Sequence, residues 1–243
     1  SARDQLWHQG RKGVKNKLEG DDGFGDALTS ADFDADGFAD LAIGIPGEDI
    51  GSVKDTGAVQ VLYGGPRGLT ARDPVWHQGS RGVPGNNERG DGFGRTLAAG
   101  DFDGDGYADL AIGVPTEDVG PIKDAGAVQI LFGSATGPTA RDQLWHQNRT
   151  GIRDRAERGD EFGYRLASGD FDADGYAETV GWSTREGDEA FLALDRNGNG
   201  TIDKGAELFG DETILANGQK ASNGFTALAE QDSNRDGKFD ASD

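Results

Sequence analysis

Asp32-Phe33-Asp34-Ala35-Asp36-Gly37-Phe38-Ala39-Asp40 puts carboxylates at positions 1, 3, 5 and 9 of one short run, with Gly at position 6. The run returns as Asp101 to Asp109 and again as Asp170 to Glu178, each copy 69 residues after the last. In the first copy, Asp32, Asp34, Asp36 and Asp40 together with the main-chain carbonyl of Phe38 form an oxygen-only donor set. Asp101, Asp103, Asp105, Asp109 and the Tyr107 carbonyl repeat it, as do Asp170, Asp172, Asp174, Glu178 and the Tyr176 carbonyl. A hard cation that takes six to eight oxygen ligands suits such a shell, and Ca2+ is the natural occupant. An acidic turn without metal is the plainer alternative, since Asp and Gly both favour turns. Three in-register copies with every ligand position filled argue against it.

The residues after each loop indicate what positions it. Leu41-Ala42-Ile43-Gly44-Ile45-Pro46 and Leu110-Ala111-Ile112-Gly113-Val114-Pro115 are short apolar runs, where a helical calcium hand would carry a Glu at position 12 and then a helix. Position 12 holds Ile43, Ile112 and Gly181. The reading is strand, metal loop, strand, with the ninth carboxylate closing the site. Trp7-His8-Gln9, Trp76-His77-Gln78 and Trp145-His146-Gln147 keep the same spacing, as do Phe24-Gly25, Phe93-Gly94 and Phe162-Gly163. One period therefore runs from Phe-Gly through a strand into the Asp loop. The Leu-Ala-Ile-Gly strand, the Gly57–Tyr63 strand and the Trp-His-Gln strand follow. Four short strands joined by Gly-rich turns make one propeller blade.

The Phe-Gly opening, the Asp-x-Asp-x-Asp-Gly-x-x-Asp loop and the Gly-x-Pro behind it resemble FG-GAP repeats, the blades of the integrin alpha-chain propeller, over roughly residues 2 to 180. The resemblance implies structural calcium loops, and ligands met on the opposite, loop-rich face. The fold class expected is mainly β: an incomplete set of FG-GAP β-propeller blades over residues 1–182, then a small EF-hand-like calcium-binding domain over 183–243. Repeat three breaks off past its loop, where Thr179-Val180-Gly181-Trp182-Ser183-Thr184 replaces Leu-Ala-Ile-Gly-x-Pro. An N-terminal Trp-His-Gln strand, two blades and the start of a third fall short of the four to eight blades of a closed ring, and an unclosed set exposes strand edges. Missing blades, an oligomer that completes the ring, or a short marginal stack would each answer this, with missing blades favoured.

Beyond residue 184 a second loop type begins. Asp195, Asn197, Asn199, the Thr201 carbonyl and Asp203 fill positions 1, 3, 5, 7 and 9, with Gly200 at 6. Position 12 is Ala206, and the acid sits one place on, at Glu207. After a short predicted helix over 225–230, Asp232, Asn234, Asp236, the Lys238 carbonyl, Asp240 and Asp243 keep regular spacing through position 12. The pair resembles the EF-hand-like or dockerin-like calcium modules of bacterial secreted proteins. A last ligand that is also the final residue is expected to fray, making that site the weakest of the five.

The chain has 44 acidic against 24 basic residues, a formal net charge of −20. Such acidity argues against nucleic acid and anionic membrane as partners, since both demand a basic surface. No apolar stretch is long enough to span a membrane. Cys is absent, so there is no disulfide framework and no thiol nucleophile. Met is absent as well, and the chain is expected to be a processed product or a fragment. Secretion or cell-surface display is inferred from calcium alone.

Several features have bland readings. Arg89-Gly90-Asp91 and Arg158-Gly159-Asp160 spell an integrin-recognition tripeptide, but the first repeat has Gly20-Asp21-Asp22 there, which points to scaffolding. His8, His77 and His146 sit on separate blades and do not converge, and Trp7, Trp76 and Trp145 are expected to fill gaps between blades. Pro46–Gly51 and Pro115–Gly120 read equally as ligand contacts or surface turns. No Ser lies in a nucleophile elbow, and the repeated carboxylates are committed to metal, so no catalytic residues are nominated. The sequence thus predicts a non-enzymatic, calcium-binding scaffold for adhesion or for recognition of an extracellular protein or glycan. A noncatalytic accessory region of an extracellular hydrolase and a calcium-dependent spacer are the alternatives.

Overall fold

The computed structural model describes residues 4–71, 75–150, 152 and 154–169, together with the backbone of three later strands. The chain divides into two compact units: Ser1–Gly169 with Tyr176–Arg185, and Asp170–Gly175 with Glu186–Asp243.

In the first unit, strands β1 (Ala27–Ala31), β2 (Asp40–Ile45), β3 (Ala58–Leu62) and β4 (Val75–Trp76) form an antiparallel sheet in chain order. Strands β5 (Thr96–Gly100), β6 (Asp109–Val114), β7 (Ala127–Leu131) and β8 (Asp142–Trp145) repeat it. Strand β9 (Arg165–Gly169) pairs with β10 (Glu178–Trp182) and begins a third. Each Asp loop is the connection of the first hairpin. The flanking pairs Ala31↔Asp40, Gly100↔Asp109 and Gly169↔Glu178 hold one register, so the ninth loop residue is always the first residue of the second strand.

Middle strands β3 and β7 are buried along their whole length, which explains why Ala-Val-Gln-Val-Leu and Ala-Val-Gln-Ile-Leu are almost continuously apolar instead of alternating. Strand β1, at one edge, alternates half-buried and exposed residues. Phe33, Ala42, Val59, Val61 and Tyr63 of the first sheet pack with Phe93, Leu110, Ile112, Val114 and Leu131 of the second, and Trp76 closes that cluster. A further cluster joins Ala98, Val128, Ile130 and Phe132 to Phe162 and Leu166, with Trp145 against it. Trp7 packs beside Ile43 and Leu62. All three Trp rings are therefore packing residues.

Consecutive repeats are clasped by main chain. Gly90, Gly92 and Phe93 donate their N–H groups to the carbonyls of Lys54, Asp55 and Thr56, and Gly159, Glu161 and Phe162 do the same to Lys123, Asp124 and Ala125. The approach is close enough to demand glycine at the Gly-x-Pro position: a Cβ on Gly44 would lie 2.1 Å from the Gly94 carbonyl oxygen, and one on Gly113 2.2 Å from that of Gly163.

Two sequence expectations change. Residues 7–9 are not a strand, and β4 stops at Trp76, before His77-Gln78. A strand at residues 4–8 would need a neighbouring ladder, and no described strand offers one. The Gln5 side chain instead donates to the Leu69 carbonyl and accepts from the Leu69 N–H, at 3.0 and 2.9 Å. In the second unit, β11 (Leu192–Ala193) pairs antiparallel with β12 (Leu208–Phe209), so paired strands flank the Asp195 loop where an EF-hand places helices. The predicted helix over 225–230 lies outside the described residues. Among the described residues there is no helix.

Candidate metal centres

The first loop is shaped by its own leading carboxylate. Asp32 accepts the N–H of Asp36 on Oδ1 at 3.0 Å and that of Gly37 on Oδ2 at 2.9 Å, while Asp36 accepts the N–H of Phe38 at 2.9 Å. These bonds bend the chain back on itself, with Ala35 and Gly37 at φ of 53° and 90°. In the second loop Asp101 accepts from Gly104, Asp105 and Gly106, and Gly stands at both positive-φ places. Within these two loops the cost of a left-handed non-glycine residue falls on Ala35 alone.

The bend gathers oxygen. Asp32, Asp34 and Asp36 each bring a carboxylate oxygen within 4.8 Å of the others, and Asp101, Asp103 and Asp109 do likewise. These are hard donors with no nitrogen or sulfur among them, and their mutual repulsion is relieved by a bound cation. The donor set fits Ca2+. Four of the five predicted side-chain and carbonyl positions in each loop are carboxylates, and the clusters draw on positions 1, 3 and 5 in one loop and 1, 3 and 9 in the other.

The ninth residue has a task that its spacing did not disclose. Asp40 accepts the Phe33 N–H at 2.9 Å and the Gly64 N–H at 2.8 Å. Asp109 accepts those of Phe102 and Gly133, both at 2.7 Å. Each carboxylate therefore ties the loop entrance to the exit of the third strand. An oxygen that accepts one N–H keeps a second lone pair, and Asp109, which accepts on both oxygens, also belongs to the convergent triad. Burial raises the pKa of both groups, Asp109 to about 6, against the opposing pull of their backbone hydrogen bonds.

A second set of acids was missed. Glu48 is 4% exposed and accepts Gln9 Nε2 at 2.6 Å, and Glu117, 8% exposed, accepts Gln78 Nε2. Burial first, then the charges of Asp22 and Asp91 respectively, pushes each Glu up to about 7. Pro46–Gly51 and Pro115–Gly120 are thus not simple surface turns. The equal Gln-to-Glu separation in both repeats was the available signal. Asp91, 2% exposed, faces inward and accepts the Glu88 N–H at 2.7 Å, so the Arg89-Gly90-Asp91 carboxylate is part of the scaffold.

The remaining predicted ligands, Asp170, Asp172, Asp174, Tyr176, Asp195, Asn197, Asn199, Thr201, Asp203, Glu207, Asp232, Asn234, Asp236, Lys238, Asp240 and Asp243, lie outside the described residues, as does the side chain of Glu178. No helix among the described residues is long and apolar enough to cross a membrane.

Residues 24–62 and 93–131 match the FG-GAP repeat model. The chain carries FG-GAP repeats. Each match runs from Phe-Gly through the metal loop to the end of the third strand. Residues 164–243 match the SPM domain model, which begins inside the third repeat and takes the place expected for an EF-hand-like module. Over 180 residues the chain is 31% identical to integrin alpha-PS2 of Drosophila melanogaster, covering 71% of this chain and 12% of that protein. It is 35% identical over 111 residues to phosphatidylinositol-glycan-specific phospholipase D of Bos taurus, covering 46% of this chain and 13% of the enzyme. Over 69 residues it is 51% identical to iron-regulated protein FrpA of Neisseria meningitidis serogroup C, covering 28% of this chain and 6% of that protein. The chain therefore spans only a small part of each relative's length. FG-GAP repeats with integrin and phospholipase D relatives fit an integrin-like, β-propeller-type scaffold.

Proposed function

We propose that this chain is a calcium-stabilised, noncatalytic recognition scaffold, secreted or displayed at a cell surface, whose FG-GAP blades present loops to an extracellular protein or glycan. The convergence of three carboxylate oxygens in each described loop carries this reading. Asp32, Asp34, Asp36 and Asp40 with the Phe38 carbonyl would hold one Ca2+, and Asp101, Asp103, Asp105 and Asp109 with the Tyr107 carbonyl a second. The ion supplies positive charge that cancels carboxylate repulsion. The third blade loop and the two C-terminal loops are read as calcium sites from their spacing alone.

Recognition is assigned to the strand ends far from the metal loops. There a cleft of about 280 Å3 draws lining from all three repeats, including Asp26, Arg95 and Tyr164 at equivalent positions. Further blades are proposed to complete the ring. Leu28 is 59% exposed, while its counterpart Leu97 packs into the core between the sheets, as expected of a flank that another blade would cover.

The phospholipase D relatives favour one second reading, in which these repeats are an accessory region of an extracellular hydrolase. Both readings require calcium. Calorimetric titration with Ca2+, and melting in calcium against chelator, test that requirement. At an affinity of about 10⁻⁴ M and roughly 2 mM Ca2+, each loop should add about 2 kcal/mol. No heat of binding and identical melting curves would remove the proposal.

A further inference from the structure

Arg141 lies just ahead of β8, at the outer edge of the second sheet, yet its guanidinium reaches back over the β5–β6 loop. Nη2 donates to Asp103 Oδ2, and Nη1 lies 3.8 Å from Asp105 Oδ2. The group is stacked 4.4 Å above the Phe132 ring. Its backbone is fixed as well, because the Arg141 carbonyl accepts the Phe132 N–H and the Arg141 N–H donates to Thr139 Oγ1. Ring and backbone together aim a full positive charge at loop positions 3 and 5.

The two loops differ at position 5, the more distant of the two carboxylates beside Arg141; the equivalent Arg72 of the first repeat lies outside the described residues. In the first loop, position 5 belongs to the convergent triad as Asp36; in the second, Asp105 is outside the triad and Asp109 takes part instead. A planar guanidinium suits two neighbouring carboxylates, and stacking on an aromatic ring lowers the entropy lost in holding it there.

We propose that Arg141 is a built-in counter-ion of the second metal loop: it pairs with Asp103 and Asp105 when no metal is present, steadies the loop in that state, and lowers its affinity for Ca2+. The inference rests on the calcium reading above. An outer hydrogen bond can also orient a ligating carboxylate and strengthen binding. Here the partner carries a charge of the same sign as the metal and pairs directly with position 3 of the cluster. Even near an aqueous dielectric, a single and a double positive charge sharing one carboxylate repel enough to weaken binding roughly tenfold. Repulsion and competition therefore outweigh orientation, and the second loop fills at a higher calcium concentration than it would without Arg141.

The test uses Tb3+ as a luminescent substitute for Ca2+, excited through Tyr107, which occupies position 7 of this loop. Emission lost in Tyr107→Phe is assigned to the second loop, and Ca2+ then displaces the Tb3+ in wild type, Arg141→Gln and Arg141→Lys. The expected result is Ca2+ affinity about tenfold tighter in Arg141→Gln, near wild type in Arg141→Lys, with a gap between Gln and wild type that narrows as salt is added. In chelator, Arg141→Gln should melt below wild type. Equal or weaker Ca2+ binding by Arg141→Gln overturns the inference while leaving the calcium reading intact. No Tyr107-dependent emission from any of the proteins overturns both.

Discussion

Asp109 and Gly133 are 24 residues apart in sequence and joined by a 2.7 Å hydrogen bond from the Gly133 N–H to Oδ1, while Oδ2 accepts from Phe102. The last ligand position of the metal loop is therefore also the clip between the first and second hairpins of its blade. Replacing Asp109 by Ala orphans two amide donors, and each such loss costs about 1–3 kcal/mol. The variant should lose about 2–6 kcal/mol in urea denaturation carried out in chelator, where metal makes no contribution. Asp109→Asn, which keeps one good acceptor, should fall between. If Asp109→Ala loses stability only when calcium is supplied, the clip is not structural.

Gly44→Ala and Gly37→Ala should separate two reasons for glycine. The first places a methyl group 2.1 Å from a carbonyl oxygen of the next blade. The second meets nothing within 4 Å and suffers only from its φ of 90°. Overpacking against backbone costs about 1–3 kcal/mol or more, and left-handed strain about 1–2. Gly44→Ala should be the more damaging by denaturant midpoint, with loss of interblade packing visible as increased Trp76 exposure to quencher.

Stability should fall as pH rises from about 4.5 to about 7. Glu48 and Glu117 ionise near 4.5 when unfolded and near 7 when folded, so within that window the native state holds more protons than the unfolded one. The native advantage is greatest below 4.5 and is lost as pH passes 7. Other carboxylates whose folded pKa is lowered, such as Asp49 beside Lys54, work in the opposite sense. Glu117→Gln keeps the contact with Gln78 without the charge, and should be more stable than wild type at pH 8 with no advantage at pH 4.5. Denaturation curves at the two pH values decide it.

Asp91 and Glu88 predict that Arg89-Gly90-Asp91 is no adhesion ligand. A carboxylate 2% exposed and turned onto the Glu88 N–H is not available to a receptor. Asp91→Ala should lower the melting temperature, and soluble Arg-Gly-Asp peptide should leave cell attachment to the immobilised protein unchanged. Competition by that peptide that persists in an Asp160→Ala variant would refute the scaffold role of Asp91.

Asp32, Asp34 and Asp36 could be read from sequence as a unit because a short loop fixes their mutual distances, and a fixed distance is what spacing encodes. Strands β1–β4 and β5–β8 were legible for a similar reason: the repeat presents each strand twice in the same order. The second role of Asp40 was not legible, since its partner Gly64 lies beyond two further strands. Pro-Gly-Glu-Asp in isolation reads equally as a turn or a ligand contact, and only the folded chain lays Gln9 over Glu48. Residues 7–9 were assigned as a strand by analogy with Trp76 and Trp145. A strand is a property of two segments, and residues 4–8 have no described ladder beside them.

The clasp between repeats is built from peptide groups, donated by Gly90, Gly92 and Phe93 in one case and by Gly159, Glu161 and Phe162 in the other. Gly92 corresponds to Glu161, and Thr56 to Ala125, yet the same rungs form. Junctions of this kind tolerate change at those two positions, while Gly44 and Gly113 stay fixed by the close approach of the next blade. Whole units can be duplicated, exchanged or allowed to diverge without losing alignment, which leaves the outward loops free to acquire new specificities at little structural risk.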